Sequence, residues 1–124
     1  MFELELYETE DGKQPVAEFL DSLDNKMNAK LVGLMELLEE KGNELREPYS
    51  APIGDGIFEL RCKLGSNITR ALYFFYVDKN IVVTNGFVKK TQKTPPAEIK
   101  LAKDRRKDWL KRHEQSTEKK KAKK

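Results

Sequence analysis

Three apolar runs set close together between residues 57 and 88 leave this chain few folds. In Phe58-Glu59-Leu60-Arg61-Cys62-Lys63-Leu64 every second residue is apolar. Strand side chains alternate faces, so Arg61 and Lys63 share the face opposite Leu60, Cys62 and Leu64. Gly65-Ser66-Asn67 is a turn by composition. Residues 68 to 77 are then apolar on both faces except for Arg70, the pattern of a central strand carrying one charge. Asp78-Lys79-Asn80 leads into a third run, residues 81 to 88. Both connections are too short for a crossover, so the three strands form an antiparallel meander. Lys89 and Lys90 leave its last strand.

The flanking segments read as a cover for that sheet. Phe2-Glu3-Leu4-Glu5-Leu6 alternates and predicts a first strand of the same sheet. Pro15 is placed to open a helix with Val16, Phe19, Leu20 and Leu23 at helical spacing. Asp24 is an N-cap candidate for a second helix, whose apolar face is Met27, Leu31, Leu34, Met35 and Leu38 and whose stop is Gly42. The pair is expected to form an antiparallel hairpin on the sheet. Residues 43 to 56, with Pro48, Pro52, Gly54 and Gly56, read as a loop.

Thr94 is expected to cap a last helix whose first positions take Pro95 and Pro96. That helix should end near Arg112, with a broken apolar stripe of Ile99, Leu101, Ala102, Trp109 and Leu110 among many cations. It should pack loosely and present charge. The expected fold class is α+β. Residues 1–113 make one domain, and residues 114–124 make a disordered basic tail with at most an electrostatic role.

Several classes of function are disfavoured. With one cysteine in 124 residues there is no disulfide within the chain, and Cys62, alternating with leucines, reads as a buried structural thiol. One histidine, one cysteine and no carboxylate cluster in the basic half argue against a metal, and no cofactor is expected. His113 reads as a solvated surface histidine. No apolar run approaches the roughly 20 residues that span a bilayer, and no N-terminal basic segment precedes an apolar one. A cytoplasmic protein is expected.

Charge is unevenly distributed along the chain. Residues 1 to 60 carry 5 Lys/Arg and 15 Asp/Glu, net −10, and residues 61 to 124 carry 19 and 6, net +13. Cations on strands as well as on the last helix point to a nucleic-acid-facing half, against the plainer reading of alternating solvated faces.

Phe58-Glu59-Leu60-Arg61, then Arg70, then Gly86-Phe87-Val88-Lys89-Lys90-Thr91-Gln92-Lys93-Thr94-Pro95 resemble the RelE superfamily of bacterial toxins, in its phage-derived HigB-type subgroup. The order of elements over residues 1–113 is similar too. The resemblance implies a RelE-like (microbial ribonuclease-like) fold. It also implies the toxin of a type II toxin–antitoxin system, a ribosome-dependent mRNA endonuclease that inhibits translation without a metal. The implied partners are mRNA on the ribosome and a cognate helix-turn-helix antitoxin, with DNA reached only through that antitoxin. The stretch after the last strand has no tyrosine or histidine, unlike better-known RelE members, and Lys93 is the nearest substitute.

The residues are compatible with such chemistry. Metal-free RNA cleavage deprotonates a 2′-hydroxyl, stabilises charge on phosphorus and protonates the leaving 5′-oxygen. Arg70 can hold phosphate oxygens bidentately. Crowding Arg61, Lys63, Lys89 and Lys90 at one site would lower the lysine pKa values and make one of them a base. Lys93, Lys100, Lys103, Arg106 and Lys107 are expected to bind RNA. Arg70 has an alternative role as the buried partner of Glu59. The competing function is a non-catalytic nucleic-acid-binding protein using the same basic sheet face. Such modules stack bases on exposed aromatics, whereas Phe58, Tyr73, Phe74, Phe75 and Phe87 have apolar neighbours.

Overall fold

The computed structural model describes residues 2–77, 79–89 and 93–122, with side chains described up to Glu114. Strand β1 (Glu3–Leu6) precedes helices α1 (Pro15–Ser22) and α2 (Asn25–Lys41), and a single 3-10 turn follows at Gly42–Glu44. Strands β2 (Ser50–Gly54), β3 (Ile57–Leu64), β4 (Asn67–Tyr76) and β5 (Asn80–Val88) lead to α3 (Pro96–Ala122). One five-stranded sheet has the order β1-β5-β4-β3-β2. The expected meander is β3-β4-β5, antiparallel throughout. β1 pairs parallel to β5, from Glu3 against Asn80 to Leu6 against Val83, a pairing that needs the long connection the helical hairpin supplies.

Local chemistry explains the hairpin. Pro15 opens α1, and the Asp24 carboxylate accepts the Met27 backbone N–H at 2.9 Å, the cap expected at the start of α2. Gly42 ends α2 at a positive φ of 56°, and a Cβ there would run into the Phe2 ring. The helical stripes meet the sheet in one core, where Val16, Leu31, Leu38, Leu60, Ala71, Tyr73 and Val83 are buried. The opposite face of the sheet packs on α3 through Ile57, Leu72, Phe74, Val82, Ala102 and Trp109. That second cover extends over only one end of its face, and the uncovered end is where the meander's cations lie.

Four expectations are corrected. Residues 50–54 are a strand, not loop. β3 would otherwise present a bare edge, and an outermost strand tolerates Pro52 because its missing N–H costs no ladder bond. α3 runs to Ala122, well past Arg112, because the apolar stripe ends at Leu110 but no breaker follows, and Glu, Gln, Lys and Ala all favour helix. Its cap position belongs to Pro95, whose carbonyl accepts from Glu98 at 3.0 Å and Ile99 at 3.3 Å, and the Thr94 hydroxyl points elsewhere. His113 is half-buried, stacked on Trp109 at 4.7 Å and edge-on to Tyr76 at 4.8 Å.

A bulge in β5 decides which residues face which cover. Tyr73 opposes Val83 but Leu72 opposes Asn85, leaving Thr84 as the extra residue. Because side chains alternate, that one residue moves everything after it to the other face. Val82 lies beside Phe74 on the α3 side; beyond the bulge, Asn85 and Phe87 follow on that side. Gly86 thereby turns toward α1, where a Cβ would lie 2.5 Å from the Phe19 ring. Its place in the motif is a packing requirement. The buried Thr84 hydroxyl donates to Asn85 Oδ1 at 2.6 Å, with the Leu72 carbonyl 3.2 Å away, so the bulge carries its own hydrogen bond.

Candidate active site

The register brings the cations of the meander together. Arg61 sits directly opposite Arg70 across β3 and β4, and Lys63 is opposite Ile68. The Lys89 backbone N–H donates to the Ile68 carbonyl at 2.8 Å, which continues the ladder. Arg61, Lys63, Arg70 and Lys89 therefore share the face that α3 leaves open. Lys89 is there only because of the bulge at Thr84. Lys90 lies outside the described residues.

Two guanidiniums on facing positions repel unless a carboxylate stands between them, and Glu59 does so. It is buried two residues before Arg61 on the same face. Its Oε2 accepts from Arg61 Nε at 3.3 Å and from Arg70 Nη1. Its Oε1 accepts the Thr94 hydroxyl at 2.5 Å, which ties the segment before α3 to the site. The structure thus supplies the Glu59 partner that the sequence offered Arg70 as an alternative. Arg61 also reaches Glu47 at 3.4 Å, but that carboxylate is exposed and adds little.

One buried carboxylate for two arginines leaves an excess of positive charge, and Arg70 is 8% exposed with an Nε–H that has no partner among the described residues. Burial, then the Arg70 guanidinium, holds the Lys89 ammonium below the ordinary lysine pKa; Arg61 adds to this and Glu59 opposes it. That is the direction expected from the crowding of cations. Cys62 is buried on the α2 side with its Sγ 3.5 Å from Met27 Sδ, and burial raises its thiol pKa. It is the structural thiol the alternation predicts.

The helical cations do not converge on this site. Lys103 bonds the Asp55 carboxylate at 2.6 Å and Arg106 donates to the Asp55 carbonyl at 2.5 Å, at the turn before β3 and the far end from Arg61. Lys100 pairs with Asp104 at 3.2 Å in solvent, and Lys107 is exposed. Lys93 lies next to Thr94, at the site's edge. Of the residues around these cations, Glu59 was offered by the sequence only as Arg70's alternative partner and Thr94 only as a helix cap, and the exposed Tyr49 stands just before β2. Their signals were a charge between Phe58 and Leu60, a threonine before two prolines, and an aromatic outside any apolar run. Among the described residues no group of three or more His, Cys, Asp or Glu could hold a metal ion.

A cavity of about 370 Å³ opens beside the arginines at the edge of β3. β2 begins at Ser50, opposite Leu60, so the rest of β3 has a bare edge and the cavity reaches both its charged and its apolar side. Residues 18–107 match the family described as phage-derived protein Gp49-like (DUF891). The chain belongs to that Gp49-like family. The match runs from α1 into α3 and includes every strand of the meander, which bears out the likeness to the RelE superfamily, HigB type, seen in the motifs. This Gp49-like chain is also 32% identical over 99 residues to the probable endoribonuclease HigB1 of Mycobacterium tuberculosis, in strains CDC 1551/Oshkosh and ATCC 25618/H37Rv. The alignment covers 80% of the chain and 77% of the relative.

Proposed function

We propose that the chain is the toxin of a toxin–antitoxin pair and acts in the cytoplasm as a ribosome-dependent mRNA endonuclease without a catalytic metal. The observation that carries this is the Arg61–Arg70 pair, two facing guanidiniums sharing one buried carboxylate on the open end of the sheet. The family and its probable endoribonuclease relatives give the reaction class. The partner held against the toxin is a helix-turn-helix antitoxin, and DNA is met only through it.

In this reading Arg70 and Arg61 bind the oxygens of the scissile phosphate and stabilise the charge that grows on it as the 2′-oxygen attacks in line. Lys89, with its lowered pKa, takes the 2′-hydroxyl proton. Lys63, exposed on the same face, returns a proton to the leaving 5′-oxygen. Lys90 and Lys93 extend the contact along the RNA backbone, while Lys100, Lys103, Arg106 and Lys107 contribute only a diffuse field.

Primer extension on a translated message, with purified protein and programmed ribosomes, is the test. Cuts at translated codons are expected, and they should persist through selective removal of zinc, with ribosomal magnesium kept. Transcripts left intact on the programmed ribosomes would defeat the nuclease reading. Activity lost on zinc removal and restored by zinc would overturn the metal-free part alone.

A further inference from the structure

We infer that the cavity at the bare edge of β3 seats one nucleobase of the RNA, with Tyr49 as the side chain that stacks on it and sets base preference. The inference rests on the assignment of Arg61 and Arg70 as the phosphate site. Both arginines line the cavity, and Leu34, Cys62 and Ile68 supply apolar lining. A ligand matching this is flat and apolar at one end and anionic at the other, which is the make-up of a single nucleotide. The volume, about 370 Å³, is at the small end of the range of roughly 300–1,000 Å³ typical of ligand pockets.

The tyrosines single out Tyr49. Tyr73 is buried, stacked on Phe58 at 5.6 Å and bonded to Ser50. Tyr76 packs on Trp109 at 4.9 Å, and Tyr7 donates to Asp108 at 2.5 Å. Tyr49, by contrast, lines the cavity and is 46% exposed. Its backbone is held independently of its ring. The N–H donates to the Arg46 carbonyl at 3.0 Å, and the carbonyl accepts from Arg61 at 2.8 Å. Replacing the side chain therefore leaves the fold and Arg61 in place. Stacking on an aromatic ring accepts any base, so preference among bases comes from how each fits between Tyr49 and the apolar wall.

Direct titration of the full-length protein with the four 3′-nucleoside monophosphates and with inorganic phosphate, followed by calorimetry, tests this without a cleavage assay. At least one nucleotide is expected to bind about tenfold more tightly than phosphate. Tyr49→Ala should abolish that advantage while phosphate affinity stays unchanged, and Tyr49→Phe should keep it. On ribosomes, Tyr49→Ala should flatten the base preference at the cut. Nucleotides binding no better than phosphate, or an advantage that survives Tyr49→Ala, overturn the inference. A protein that shows the nucleotide pattern but never cleaves RNA keeps the base pocket and refutes the nuclease. Failure to bind even phosphate removes both.

Discussion

Arg70 is where stability and chemistry meet. Removing one partner of a buried pair costs roughly 3–5 kcal/mol because the other charge is stranded, and Glu59 would keep only the longer ion pair with Arg61 and the neutral Thr94 hydroxyl. Arg70→Ala should therefore melt many degrees lower. Arg70→Lys is the sharper probe: it keeps the charge beside Glu59 but loses the planar fork. Its melting temperature should drop far less, while cleavage falls about 100-fold, since a point charge does not replace bidentate phosphate binding. Cleavage by Arg70→Lys in proportion to its folded fraction would make Arg70 purely structural. Arg61, Lys63 and Arg70 were legible in the sequence because strand alternation alone places them. Lys89 was named from its place just after the last strand, but its face was not legible, since that depends on the extra residue at Thr84; nor was the Glu59–Thr94 bond, which joins residues 35 apart.

α3 shows why an element judged weak by its apolar stripe can be held firmly. The sequence offers Trp109, Leu110 and Ala102 and implies loose packing, but polar contacts supply much of the attachment. The Tyr7 hydroxyl donates to Asp108 at 2.5 Å, Arg112 donates to the same carboxylate at 2.7 and 3.1 Å, and Trp109 Nε1 donates to Glu5 at 3.2 Å. Arg105 and Arg112 both lie over the Tyr7 ring at 5.6 Å. Apart from the Arg112–Asp108 bonds within α3, these link residues about a hundred positions apart, beyond any local pattern. The Tyr7 hydrogen bond, with Arg112 assisting, holds the Asp108 pKa below the ordinary carboxylate range. Burial, then Asp108, raises that of Tyr7. A lowered carboxylate pKa gives stability that is present above about pH 3.9 and lost as pH falls further. A raised phenol pKa gives stability present below about pH 10 and lost above it. Docking of α3, followed by Trp109 fluorescence, should thus be most secure between those limits. Tyr7→Phe should remove the alkaline loss, and Asp108→Asn should weaken docking at neutral pH and remove the acid loss. An unchanged acid limb in Asp108→Asn would place the titrating group elsewhere.

At the scale of the whole molecule, the net −10 and +13 of the two sequence halves are partly joined by ion pairs. The fold sends carboxylates of the first half to cations of the second: Glu59 and Glu47 to Arg61, Glu59 to Arg70, Asp55 to Lys103. Three carboxylates of the first half are thus used internally among the described residues, as a sequence count cannot reveal. At the open end of the sheet Lys63 and Lys89 stand on the same face as Arg61 and Arg70. An acidic antitoxin segment should be steered there, since complementary potential acts mainly on the rate of encounter. Stopped-flow association with the cognate antitoxin should slow as salt rises from about 50 to 300 mM, because screening shortens the reach of exposed charges. Lys63→Glu should lower the on-rate several-fold at low salt. Lys107→Glu, an equal change of charge on exposed α3 away from the site, should lower it much less. Equal effects of the two reversals would show that net charge alone governs encounter, and an on-rate indifferent to salt would show that the antitoxin approaches a surface other than the cationic end.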